Sequence, residues 1–226
     1  MYIIAHRGAS YLEPENTLRS IEKAIQMDAD FVEFDVRKTQ DQQLVVIHDS
    51  RVDRTTNGQG RVAEMPLKDI LKLDAGKKQH IPTLKQVLEL VEDKKSIVLE
   101  IKEPGYEDLI IETIQSYNLK SPLLASFYHG SVEKVKRLNH DLKTGVIVSS
   151  QPVNISNLAR DAKADAIFIK KKFLDENMVR NVKVHDLNIF PWVVDEPKQA
   201  KKFLEWGADG FVTNKLLDKE IFHDFK

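Results

Sequence analysis

The chain has 226 residues, enough to bury a sizeable core in one large α/β domain, and Lys+Arg 34 against Asp+Glu 35 leaves a formal net charge of -1. The two signs are interspersed, so there is no basic face to release the counterions of a nucleic acid or an anionic bilayer, and binding by bulk charge is excluded. The absence of cysteine removes disulfide scaffolds, zinc ribbons and thiol nucleophiles.

Met1 to Ala5 has no basic segment and too short an apolar run for a signal peptide or a membrane span, so it reads as a first strand and the expected location is cytoplasmic. Further short runs rich in Val, Ile and Phe predict strands at Tyr2–Ala5, Phe31–Val36, Ile97–Ile101, Leu123–Phe127, Thr144–Val148, Ala166–Ile169, Ile189–Val194 and Gly210–Thr213. Helical periodicity between them predicts helices at Thr17–Met27, Leu84–Val91, Asp108–Tyr117, Ser131–Leu138, Ile155–Ala162, Asp175–Val184 and Pro197–Trp206. Thr17, Thr83, Ser131 and Asp175 stand where a side-chain oxygen accepts from an orphan N–H of the first turn. Strands alternating with helices in this number predict an α/β fold of the (β/α)8 TIM-barrel type, a single domain over residues 1–226. No glycine-rich nucleotide fingerprint follows the first strand, which argues against an open doubly wound sheet.

One run falls outside that count. Leu44–His48 follows the second strand too soon for a crossover helix and is predicted to be the return arm of a hairpin. With Asp41-Gln42 as a two-residue turn, Gln40 faces Gln43 and His48 comes opposite Asp35. From Asp49 to about Ile81 the chain is polar and punctuated by glycine, which predicts a small insertion after the second strand, lying over the barrel mouth.

Active sites of such barrels gather at the C-terminal ends of the strands. The first strand ends in His6-Arg7-Gly8, the second carries Glu33 and Asp35, the hairpin arm ends in His48-Asp49, and the third barrel strand ends in Glu100-Ile101-Lys102. Residues two apart in a strand share a face, so Glu33 with Asp35, and Glu100 with Lys102, are aimed at one lumen. A single acidic residue in a strand usually sits on a solvated face or in an ion pair. Three that converge repel one another unless protonated or bridged, and oxygen ligands of this kind suit a hard divalent cation such as Mg²⁺ or Ca²⁺.

These segments resemble the glycerophosphodiester phosphodiesterase family: His6-Arg7-Gly8 with Pro14-Glu15-Asn16-Thr17, then Val32-Glu33-Phe34-Asp35-Val36, His48-Asp49 and Leu99-Glu100-Ile101-Lys102, in the family's order and approximate spacing. Ile81-Pro82-Thr83-Leu84, Trp192 and Asp209-Gly210-Phe211-Val212-Thr213-Asn214 extend the likeness over nearly the whole chain. The resemblance implies a metal-dependent enzyme that cleaves glycerophosphodiesters to sn-glycerol 3-phosphate and an alcohol. It implies Glu33, Asp35 and Glu100 as ligands of one divalent ion (Mg²⁺, Ca²⁺ or Mn²⁺), His6 and His48 as the acid/base pair, and Arg7 and Lys102 as the phosphate clamp. Trp192 either packs on the glycerol carbons or is plain barrel core. The partner expected is a small-molecule substrate, with neither nucleic acid nor stable membrane association; the oligomeric state is left open. Two departures stand out: relatives often carry Asp-Gly where Asp41-Gln42 stands, and a Thr and an Asn where Val193-Val194-Asp195 follows Trp192. Glu15 and Asn16 are expected to fix the first loop, and Phe127, Lys170 and Asn214 are weaker candidates at the mouth.

Overall fold

The computed structural model describes residues 1–216 and 218–225, with the side chains of residues 223–225 left aside. Its strands are β1 (Tyr2–Ala5), β2 (Phe31–Lys38), β3 (Leu44–Val46), β4 (Ser96–Ile101), β5 (Lys120–Ser126), β6 (Lys143–Val148), β7 (Ala166–Lys170), β8 (Asn188–Trp192) and β9 (Gly210–Thr213). Helices α1 (Leu18–Gln26), α2 (Leu67–Ile70), α3 (Leu84–Val91), α4 (Glu107–Ile114), α5 (His129–Leu138), α6 (Ile155–Asp161), α7 (Glu176–Val184) and α8 (Pro197–Glu205) lie between them. The parallel order β8-β7-β6-β5-β4-β2-β1-β9 leaves β3 off the path, paired with β2. Backbone hydrogen bonds from Asp209 N to Ile189 O (3.2 Å) and from Val194 N to Val212 O (2.8 Å) join β8 to β9. The result is the expected (β/α)8 barrel. Among the described residues no helix is long and apolar enough to cross a membrane.

Period-2 alternation divides each strand between two cores. Ile4, Val98, Leu123, Ala125, Ile147, Ala166, Phe168, Phe190 and Val212 fill the lumen. The opposite faces, such as Val32, Phe34, Leu99 and Ile101, pack under the helices with Ile21, Leu84, Leu88 and Ile110. Each such side chain, fully buried, is worth roughly 1.5–3 kcal/mol. Gly145 belongs to the lumen as an absence: a Cβ there would lie 2.6 Å from Phe168 Cε2, so the glycine makes room for that ring. Thr17 and Thr83 form capping boxes with Ser20 and Gln86, and Asp175 caps α7. Ser131 does not cap: α5 begins at His129, and the buried Ser131 hydroxyl donates instead to Glu107 Oε1 at 2.6 Å.

The hairpin differs from its predicted register by one residue. Val36, Arg37 and Lys38 face Val46, Val45 and Leu44, so Asp35 comes opposite Ile47, whose N–H it accepts at 2.9 Å. The turn spans three residues because Gln42 adopts φ 62°, the left-handed conformation that follows a type I turn in such loops, and Thr39 Oγ1 accepts from Gln43 N (3.0 Å). Beyond β3 the excursion is held by its own apolar cluster of Val45, Ile47, Val52, Val62, Ile70, Ala75 and Ile81. Its polar side meets the β1–α1 loop at the barrel mouth, where Arg54 reaches Glu15.

Candidate active site

The parallel register of β2 and β4 places Asp35 beside Glu100, with Glu33 two residues back on the same face of β2. One ligand oxygen from each of Glu33, Asp35 and Glu100 lies within 4.8 Å of the others. Strand geometry continues past β4, with Lys102 N on Val36 O at 3.3 Å, and brings Lys102 Nζ to 2.5 Å from Glu100 Oε1 and 3.3 Å from Asp35 Oδ1. β1 likewise continues through His6, whose N–H donates to Thr213 O (2.9 Å). The chain then turns sharply out of the sheet through left-handed Arg7 (φ 55°) and Gly8 (φ 75°). Only glycine fits at the second position, since a Cβ would lie 2.6 Å from the Ser20 backbone. The turn directs Arg7 N–H to Glu33 Oε2 (2.7 Å), and the Arg7 side chain places Nε 3.4 Å from Asp35 Oδ2 and Nη1 2.7 Å from Glu15 Oε1.

His6, Arg7, Glu33, His48 and Glu100 line one cavity of about 110 Å³ together with Val98, Ala125, Phe127, Ile147, Phe168, Trp192 and Val212. Its polar wall comes from β1, β2, the end of the hairpin arm and β4, and its apolar wall from the rest of the barrel. The two imidazoles have different partners. His6 Nδ1 lies 2.7 Å from Asn214 Oδ1, and the orientation of that amide is fixed from behind: Asn214 Nδ2 donates to Asp195 Oδ2 at 3.2 Å, so the oxygen faces His6. His6 Nδ1 therefore carries the hydrogen and Nε2 keeps its lone pair. Burial, reinforced by the Arg7 charge, pushes the His6 imidazole down to about 4. His48 Nδ1 donates to Asp49 Oδ1 at 2.6 Å. Burial lowers His48 as well, offset in part by Asp35 and Asp49.

The carboxylates do not ionise alike. Burial, then Asp35 and Glu100 beside it, push Glu33 well above the usual carboxylate range. Burial and Asp35 raise Glu100 to about 7 against the pull of Lys102. Burial works against Asp35 too, but Lys102 and Arg7 overcome it and hold that carboxyl at about 2. Asp35 Oδ1 is buried and, although Lys102 Nζ lies 3.3 Å away, accepts no hydrogen bond among the described residues. A set of hard oxygen donors, one of them with an unused lone pair in the interior, fits a divalent cation, which if bound would take the place of the protons that burial otherwise favours on Glu33 and Glu100.

All eight sequence-predicted site residues gather at the C-terminal ends of the strands. Trp192 faces the lumen, its ring edge-on to Phe127 (5.8 Å between centroids), with Lys170 Nζ 5.7 Å from its centroid and Nε1 buried without an acceptor. Several positioning contacts escaped the sequence reading. Asn16, left-handed at φ 57°, donates to Asp35 Oδ2 (2.7 Å) and accepts from Asp35 N (3.2 Å), so it grips a carboxylate of the acidic cluster as well as shaping its loop. The Asp195–Asn214–His6 chain and the contacts of Arg54 join residues far apart in sequence, and no local spacing announces them.

The comparisons with known proteins agree with this geometry. A family model described as the glycerophosphoryl diester phosphodiesterase family matches residues 6–217. A glycerophosphodiester phosphodiesterase of Caldanaerobacter subterraneus subsp. tengcongensis is 37% identical over 226 residues, covering 94% of this chain and 93% of the relative. One of Bacillus subtilis is 33% identical over 253 residues, covering 99% of this chain and 85% of the relative. Among solved structures, an Oleispira antarctica phosphodiesterase in complex with the product sn-glycerol-3-phosphate matches with a TM-score of 0.90 at 27% identity, over 95% of this chain and 93% of that one. A barrel that brings these motifs to one mouth, matched end to end in sequence and in fold, belongs to the glycerophosphoryl diester phosphodiesterase family, and the chain is an enzyme of that activity.

Proposed function

We propose that this chain hydrolyses small glycerophosphodiesters in the cytoplasm to sn-glycerol 3-phosphate and an alcohol, with His6 and His48 moving the protons and Glu33, Asp35 and Glu100 holding one divalent cation. The observation that carries the reading is the convergence of Glu33, Glu100, both imidazoles and Arg7 on a single cavity, with a carboxylate oxygen of the buried Asp35 within 4.8 Å of those of the two glutamates. The Oleispira antarctica complex with sn-glycerol-3-phosphate, on the same fold, supports the product assignment.

A phosphodiester is an anion with a poor leaving group, so its cleavage needs charge neutralisation, a base and an acid. Glu33, Asp35 and Glu100 would hold one Mg²⁺, Ca²⁺ or Mn²⁺, which when bound would supply positive charge to offset that of the phosphodiester. Arg7 meets the phosphate through its planar fork, oriented by Glu15, and Lys102 adds a second cation from among the carboxylates. His6, neutral and with Nε2 free, takes the proton from the nucleophile as its oxygen bonds to phosphorus. His48, whose imidazolium form Asp49 stabilises, gives a proton to the departing oxygen as the P–O bond breaks. Trp192 and Phe127 wall the leaving-group side, and the unpaired Trp192 Nε1–H donates to an alcohol oxygen.

The direct test is release of sn-glycerol 3-phosphate from glycerophosphocholine. Hydrolysis with added Mg²⁺, Ca²⁺ or Mn²⁺, its loss in EDTA and its loss in Glu33→Ala are expected. Full activity in EDTA sinks the metal assignment.

A further inference from the structure

Arg54 lies outside the substrate cavity, on the excursion that follows β3, yet its guanidinium is bound to the partners of two residues inside it. Arg54 Nε donates to Asp49 Oδ2 (2.6 Å) and Nη2 to Asp49 Oδ1 (3.0 Å). Nη1 donates to Glu15 Oε2 (2.9 Å) and Nη2 to Glu15 Oε1 (2.8 Å). Asp49 Oδ1 is also the acceptor of His48 Nδ1–H, and Glu15 Oε1 is the acceptor of Arg7 Nη1–H. One planar fork thus spans two carboxylates, each bound at both oxygens, and those carboxylates orient an imidazole of the hairpin arm and a guanidinium of the β1–α1 loop.

We propose that Arg54 is a positioning residue for the hydrolytic reaction: by holding Asp49 and Glu15 together it sets His48 and Arg7 at a fixed separation across the phosphate. This rests on the roles given to His48 and Arg7 above. Without Arg54, Asp49 and Glu15 become like charges facing each other across the joint between excursion and barrel, and the bonds they make to His48 and Arg7 lose their anchor. An ammonium cannot substitute, because a lysine offers a point charge where this joint needs a plane with donors on both edges. The guanidinium is half-exposed, with 48% of its side chain accessible, so the contribution to overall stability is small while the contribution to geometry is large. That contrast separates a positioning role from a merely structural one.

The experiment is steady-state hydrolysis of glycerophosphocholine with Mg²⁺, alongside thermal melting, for Arg54→Gln, Arg54→Lys and the control Arg51→Gln, whose side chain pairs, among the described residues, with exposed Asp53 on the same excursion. Arg54→Gln and Arg54→Lys are each expected to lower kcat/KM by about ten-fold or more, the range typical of residues that orient catalytic groups, with melting temperatures unchanged. Arg51→Gln should match the wild type. Glu15→Gln alone should also lower kcat/KM, and combining it with Arg54→Gln should cost less than the product of the separate losses, because both break one assembly. The proposal is overturned if Arg54→Gln keeps wild-type kcat/KM, if Arg54→Lys restores it, if the losses multiply, or if they follow melting temperature. Calorimetric binding of sn-glycerol 3-phosphate gives a readout free of turnover: Arg54→Gln should weaken it, and unchanged binding together with unchanged kcat/KM removes the role. A wild type that hydrolyses no glycerophosphodiester refutes the proposed function instead, and the binding arm still decides on Arg54.

Discussion

An imidazole whose Nδ1–H rests on a neutral amide oxygen and one whose Nδ1–H rests on a carboxylate differ in how readily they hold a second proton. His6 is of the first kind, on Asn214, and His48 of the second, on Asp49. Replacing the alcohol of the substrate by p-nitrophenol, which leaves without protonation, should separate the roles. His48→Asn is expected to lose about 10²- to 10⁴-fold in kcat on glycerophosphocholine and to regain most of it on the nitrophenyl ester, while His6→Asn is impaired on both. Equal losses on both substrates for both variants would reject the assignment. The residues proposed to react were legible as a group in the sequence, because Glu33, Asp35, Glu100 and Lys102 obey the strand period and His6 and His48 end their runs. Their supports were not. Asn214 reaches His6 across 208 positions and Arg54 reaches Glu15 across 39, and pairings that long are created by the closed barrel.

At the scale of elements, the strands supply their own precision. β2 and β4 run parallel in unbroken register, so the separation of Asp35 and Glu100 is set by sheet geometry and not by loops. The lumen beneath is equally constrained. Phe168 stacks on Phe190 at 5.2 Å and cannot yield to a Cβ at Gly145. Gly145→Val is therefore expected to destabilise the chain by about 1–3 kcal/mol in chemical denaturation and to narrow the cavity that Phe168 lines, raising KM. A neutral effect on both would show that the ring has room to move. Strand and helix positions were readable from periodicity and caps, to within a few residues. The hairpin register was not, because it depends on one backbone angle: with Gln42 left-handed the turn takes three residues, a choice hidden where Asp-Gln replaces Asp-Gly. His48 nevertheless reaches the mouth, since it lies beyond the last β3 pair and its position is set by Arg37 Nε, which donates to the His48 carbonyl at 2.8 Å.

Across the whole molecule, the titrating groups give stability a pH dependence with a definite sign. Glu33 and Glu100 retain protons in the folded chain above the ordinary 4.5, so the stability they add is greatest at low pH and is lost as pH rises toward about 7. His6 and His48 act in the opposite sense: the unfolded chain protonates them near 6.5 and the folded chain resists, in His6 down to about 4, so stability falls with falling pH through that range. Asp35, held at about 2, is ionised in both states over this window. If the proposed site binds Mg²⁺, it does so with both glutamates ionised, so the rise in melting temperature on adding Mg²⁺ should grow between pH 5 and pH 8. A ten-fold gain in affinity is worth about 1.4 kcal/mol, or ~3–6 °C for a chain of this size. A shift independent of pH would contradict the raised pKa values. The near-zero net charge read at the outset is compatible with all of this, since on the proposed mechanism attraction for one phosphodiester would be local, from Arg7, Lys102 and the bound ion.

The barrel is also divided along its length. Every ionisable group given a chemical role lies between His6 and Lys102, on β1, β2, the hairpin arm and β4, whereas β5 to β8 contribute Ala125, Phe127, Ile147, Phe168 and Trp192 to the cavity. On the proposed mechanism, the second half of the chain would shape the cavity wall without sharing in bond cleavage, apart from Asp195 and Asn214, which steady His6. If the proposed roles hold, reaction and selectivity fall in separate stretches of one polypeptide, and changes in the apolar stretch would alter the alcohol accepted while leaving the proposed acid, base and carboxylates in place.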